Sequence, residues 1–174
     1  MPRGLAPSGR TPSRGAGAGS GLRRGVSGGQ TGVDRAALDA ALEAGLEIGG
    51  WCPAGRRAED GRIPDRYPLE ETPSAEPAER TEWNVRDSDG TLAIFIGPLR
   101  GGTELAVQVA HRLGKPLLVV DLARPTDPAE VARWIAVLGI RTLGVAGPRE
   151  GESRGIYTRA MPLLRGVFGL PETP

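Results

Sequence analysis

Residues 91–121, TLAIFIGPLRGGTELAVQVAHRLGKPLLVVD, decide the fold. Two short apolar runs, Thr91–Ile96 and Pro116–Asp121, flank a glycine-rich loop at Gly97–Gly102 and a helical pattern. Each run is short and rich in β-branched or aromatic residues, which reads as a buried strand. Between them Leu105, Ala106, Val109, Ala110 and Leu113 recur at helical spacing, and Gly114 supplies the stop. A strand, a helix and a second strand joined this tightly make a right-handed crossover between parallel neighbours.

The alternation continues in both directions. Downstream, Asp127–Leu138 reads as a helix with Asp127 as N-cap and Pro128 in the first turn. Arg141–Ala146 (RTLGVA) reads as a last strand, and Arg154–Phe168 as a closing helix. Upstream, Leu22–Ser27 is a weak strand diluted by Arg23, Arg24 and Gly25. Gly32–Ala44 is the first helix, Glu47–Cys52 a second strand, and Pro53–Thr72 a long irregular segment rich in Gly, Pro, Arg and Asp. A further helix is predicted from about Ala75 to Arg86. The expected fold is therefore α/β: a three-layer, Rossmann-like, open and mainly parallel sheet with helices on both faces. A single domain is expected over residues 22–170. Ligands of such sheets bind beyond the carboxyl ends of the strands.

Charge and composition narrow the function classes. The net charge is +1, yet the first 33 residues hold five arginines and no acid. Taking these five from the chain's 22 basic residues leaves 17 against 21 acidic ones, a body of net charge −4. Such a body does not suit nucleic-acid binding. Residues 1–21 hold six Gly, three Pro, three Ser and three Arg, and are expected to be a disordered tail or an over-long gene start. One cysteine, Cys52, and one histidine, His111, give no internal disulfide and no Cys/His metal site. No apolar run is long enough to span a bilayer, so a cytoplasmic location is expected, with no membrane partner.

Two loops carry the candidate chemistry. SGGQTGVDRAALDAAL (27–42) opens the first helix with Gly28, Gly29 and Gly32, and adds side-chain donors on Ser27, Gln30 and Thr31. A helix N-terminus presents unpaired amides and a partial positive charge, and missing Cβ atoms let an oxyanion approach. Asp34 and Arg35 follow directly. The second loop, GPLRGGTELA (97–106), repeats the pattern with Gly101, Gly102, Thr103 as a cap and Glu104 in the first turn. Arg56 and Arg57, after Gly55, are candidate oxyanion clamps, and Trp51 a candidate stacking surface for a heterocycle. Cys52 reads as a buried thiol before a metal ligand. Arg80, Asn84 and Asp87 share one face of their helix, and Asp89 with Gly90 suits a turn. Neither GxxxxGK[ST] nor GxGxxG occurs, which excludes the P-loop and the standard dinucleotide fingerprint.

Six motifs in order carry a resemblance: SGGQTGVDRAALDAAL, GGWCPAGRRAEDGRIPDRYPLEETPS, RTEWNVRDSDGTL, GPLRGGTELA, KPLLVVDL and VAGPRE with GIY after it. Across about residues 25–168 the chain resembles the molybdenum-cofactor carrier protein family of bacteria, itself similar in fold to the lonely-guy phosphoribohydrolases. The resemblance implies an open parallel sheet, a homo-oligomer (dimer or tetramer), and a molybdopterin- or nucleotide-sized anion at the glycine loops. Molybdoenzymes or cofactor-synthesis proteins are the protein partners it suggests. The hydrolases carry PGGxGTxxE with a catalytic glutamate. Aligning their Gly-Thr with Gly102–Thr103 places Ala106 at that glutamate.

The expected function is a binding or carrier protein for the molybdenum cofactor or a related pterin or nucleotide. Backbone amides at 28–32 and 101–103 would hold phosphate or oxo groups, Arg56 and Arg57 would offset charge, and Asp34, Asn84 and Asp87 would orient ring edges. The alternative is a nucleotide hydrolase cutting an N-glycosidic or phosphate bond, with Asp87, Asp89 or Glu104 as general acid or base. A third reading, a DNA-binding module, would rest on the basic tail alone.

Overall fold

A computed structural model describes residues 20–172. The tail expected over residues 1–21 therefore lies almost wholly outside the described residues. In chain order the elements are β1 (Arg24–Val26), α1 (Val33–Glu43), β2 (Glu47–Gly49), β3 (Trp51–Cys52), β4 (Arg57–Ala58), β5 (Gly61–Arg62) and β6 (Glu70–Glu71). They continue with α2 (Pro77–Arg86), β7 (Gly90–Phe95), α3 (Gly101–Leu113), β8 (Leu117–Asp121), α4 (Pro128–Val137), β9 (Thr142–Ala146) and α5 (Ile156–Val167).

Five strands form one sheet in the order β2-β1-β9-β7-β8, and every pairing is parallel. The last strand of the chain lies at its centre. Counted from β9 instead of β1, the same sheet would read 3-2-1-4-5, the open doubly-wound order. Side chains alternate across the strands and divide the helices between two layers. Leu92, Ile94 and Leu143 join α1, α4 and α5 in the main apolar core. On the opposite face Val85 of α2 packs with Ala106, Val109 and Ala110 of α3. Small residues of β9, Gly144 and Ala146, leave room between that face and α2.

Two sequence expectations change. The predicted strand Glu47–Cys52 is cut at Gly50, whose φ is +131°. A Cβ there would stand 2.3 Å from the Ser27 carbonyl oxygen, so only glycine allows this turn past the first loop. β2 stays in the main sheet, while β3 leaves it to pair with β6. The segment 53–72 is also more ordered than predicted. It contains the β4–β5 hairpin, and Ile63, Tyr67 and Leu69 form a second apolar cluster with Leu38 and Cys52.

Candidate functional site

Three loops meet beyond the carboxyl ends of β1, β7 and β9 around a crevice of about 270 Å³. Gln30 comes from the first loop, Gly101 and Gly102 from the start of α3, and Gly147, Arg149 and Glu152 from the loop after β9. Pro77, Ala78, Arg80 and Thr81 bring in the start of α2. Two helix N-termini thus face one cavity, each adding partial positive charge. Both lack a side-chain cap: Glu76 precedes α2 and Arg100 precedes α3, and neither caps. The first helical bond of α3 runs from Glu104 N to Arg100 O, so the amides of Gly101, Gly102 and Thr103 have no partner among the described residues.

Below the crevice lies a chamber of about 40 Å³, space for two or three waters or one small polar group. Arg80, Thr81, Gly102 and Gly147 line both cavities. Arg80 Nη1 donates to Asp34 Oδ2 at 2.9 Å, and that carboxylate also accepts from Gln30 N at 3.1 Å. Arg80 Nε is buried and has no hydrogen-bond partner among the described residues, and the same holds for the Thr91 hydroxyl in the chamber wall. Orphaned buried donors of this kind call for a ligand or water. Gly28 makes the arrangement possible, since a Cβ on it would fall 1.7 Å from Arg80 Nη1.

The structure sorts the sequence candidates. Gln30, Gly101 and Gly102 reach the crevice, Gly28 and Asp34 the chamber, and Thr103 an adjoining cleft of about 130 Å³. Thr103 is the third helical residue and caps nothing. The hydroxyl of Ser27 is spent on Val145 O at 2.7 Å. Gly29 lies beneath Leu69 and Ile63, and Gly32 beneath the Pro148 carbonyl, which rules out a larger residue at either. The Thr31 hydroxyl is held by Glu59.

Several side chains assigned to the ligand do other work. The Arg56 guanidinium is buried and donates to the carbonyls of Ile63, Pro64, Tyr67 and Leu69, so it organises the 53–72 segment and clamps no oxyanion. Arg57 stands exposed on the hairpin, outside all three cavities. Arg35 is paired in a fork with Asp60 and donates Nε to Gly29 O, and this pairing holds Asp60 below the usual carboxylate range. Asn84 lines the chamber, but its amide is committed to Trp51 N and O and orients no ring edge. Trp51 sits edge-on to Trp83 at 4.7 Å, donates Nε1 to Asp87, and lines none of the three cavities.

The acid–base candidates also fall outside. Asp87 is paired to Arg86, which holds its carboxyl low, and lines none of the three cavities. Asp89 accepts from Arg141 N and Thr142 N and anchors the start of β9. Glu104 points to solvent. Cys52 is buried and its thiol is pushed up by that burial; no cluster of three metal-ligating side chains occurs among the described residues. The lining residues Gly147, Arg149 and Glu152 were not selected from sequence, and Arg80 entered only as part of a polar helix face. Arg80 carried a signal in its shared helix face with Asn84, whereas the loop after β9 lacks the glycine run that marks the other two.

A family model, described as the circularly permutated YpsA SLOG family, matches residues 26–168. The chain belongs to this family. Its central β9 is what a permuted doubly-wound sheet requires. Among solved structures, this SLOG chain is similar to a crystal structure of a "Putative molybdenum carrier protein" from Syntrophus aciditrophicus SB. The two share 43% identity with a TM-score of 0.81, over 85% of this chain and 96% of the other. No curated protein matches. Among the described residues no helix is long and apolar enough to cross a membrane.

Proposed function

We propose that this chain holds a small anionic cofactor, the molybdenum cofactor or a related pterin or nucleotide, in the crevice between its three loops. The observation that carries the reading is the pairing of uncapped helix N-termini with Arg80, whose Nε is buried without a partner among the described residues. Unpaired amides and a desolvated guanidinium hold phosphate or oxo groups more strongly than exposed donors. The crevice is just below the range of about 300 to 1,000 Å³ usual for cofactor pockets, and the chamber and cleft adjoin it. In this reading the amides of Gly101 and Gly102, with Arg80 and Arg149, hold the anion. Glu152 and Asp34 set which polar edge enters.

Name and geometry agree here. The similar Syntrophus structure bears the name of a molybdenum carrier, and the site offers grip without an obvious reaction centre. Ala106, standing where the hydrolases carry a glutamate, is buried in the chamber wall. Hydrolysis of a nucleotide would have to use Glu152 or Asp34, both already hydrogen-bonded. A cytoplasmic homo-oligomer that passes its cargo to molybdoenzymes or takes it from cofactor synthesis completes the proposal.

Native mass spectrometry of the protein as purified tests it. The expected result is a bound mass matching a pterin or nucleotide, released on denaturation and reduced in Arg80→Lys. A native mass equal to the polypeptide, unchanged after incubation with cofactor and with AMP, would sink it.

A further inference from the structure

The β4–β5 hairpin lies against the first loop and the loop after β9 through its two acidic tip residues. Asp60 takes the fork with Arg35. Glu59 does something different. Its Oε1 accepts from the Thr31 hydroxyl and from Gly151 N at 2.9 Å, and its Oε2 lies 3.3 Å from Arg149 Nε. A Cβ on Gly151 would stand 2.5 Å from Oε2, so glycine is needed for the carboxylate to come this close. A hydroxyl, a loop amide and a guanidinium converging on two oxygens form a donor set suited to any oxyanion.

We infer that Thr31, Gly151 and Arg149 form a second oxyanion seat, occupied in this state by the chain's own Glu59 carboxylate. Its ligand is a tetrahedral oxyanion, free or as the outer phosphate or oxo group of the crevice ligand. The seat adjoins the crevice: Arg149 lines both, and Gln30, a crevice residue, accepts from Glu59 N at 2.9 Å and from Thr31 N at 3.0 Å. The hairpin lies outside the main sheet, and a rotation of the Glu59 side chain empties the seat while Asp60 keeps its fork with Arg35. An arriving oxyanion competes with Glu59 for the Thr31 hydroxyl, the Gly151 amide and Arg149, whose guanidinium already lies between two carboxylates, Glu59 and Glu152. The seat rests on the binding reading of the crevice and extends it to a ligand with two separated anionic groups.

The probe is inorganic phosphate, titrated at low salt into the full chain, Glu59→Gln and Glu59→Ala. Gln keeps the shape without the charge and Ala empties the seat, so one of the two reads the seat even where the other perturbs the hairpin. Phosphate binding about ten-fold tighter in either variant, the equivalent of one additional charge-assisted hydrogen bond, is the expected result. Adding Arg149→Met should return it to the native level. Equal or weaker phosphate binding in both folded variants overturns the seat. AMP binding by the native chain reports on the crevice separately. AMP binding without tighter phosphate binding in the variants removes the seat and leaves the crevice reading standing. Tighter phosphate binding in a chain that ignores AMP supports the seat and removes the crevice reading.

Discussion

Both tyrosines of the chain, Tyr67 and Tyr157, donate to one carboxylate, Asp39, at 2.7 Å each. Burial and the charge of Asp39 push both phenols up to about 12. A phenol raised in the folded state stabilises fully below its unfolded value near 10, and that contribution is lost as pH rises towards about 12. Absorbance titration of the phenolates should therefore show no ionisation near pH 10 in the folded protein. Asp39→Asn should lower both midpoints in part, since burial remains; a midpoint near 10 in the native chain would refute the triad. At the site, Gly28→Ala pushes the flexible end of Arg80 off its seat. It should weaken ligand binding at least about ten-fold and also lower the melting temperature, because the displaced Nη1 is the partner of buried Asp34. Arg80→Met removes the partner of buried Asp34 and should cost about 3 kcal/mol in a denaturant melt.

At the scale of elements, strands and helices were legible because their periodicities differ and their boundaries carry glycine, proline and caps. Asp127 is one such boundary, accepting from Ala129 N at 2.9 Å. Asp127→Ala should destabilise the protein by about 1 kcal/mol, read from the shift in denaturant midpoint. The 53–72 segment was not legible, since its order comes from a buried guanidinium and no local pattern announces one. Arg56 was visible as a charge, and a charge reads as surface or ligand clamp until its burial is known. Arg56→Ala should raise proteolytic nicking within 53–72 by an order of magnitude before the sheet is touched. Nicking at native rates would mean the four carbonyl contacts are dispensable. The site divided the same way. The two glycine loops were found because missing Cβ atoms show in sequence. The loop after β9 holds Arg149 and Glu152 beside them only because β9 lies between β1 and β7.

For the whole molecule, strand order is what a linear sequence hides most completely. Each βαβ unit was readable, but nothing local states that the last strand inserts at the centre. That insertion brings residues from positions 30, 80, 101 and 149 to one crevice at the point where the strand order reverses. The central claim is that this convergence binds an anionic cofactor. Its most direct test is calorimetric titration of the full chain with molybdenum cofactor, beside the Arg80→Lys variant. The expected result is saturable binding in the micromolar range by the native chain, weakened about ten-fold or more in the folded variant. No binding at tens of micromolar by a folded native chain, or equal affinity in both proteins, would contradict it.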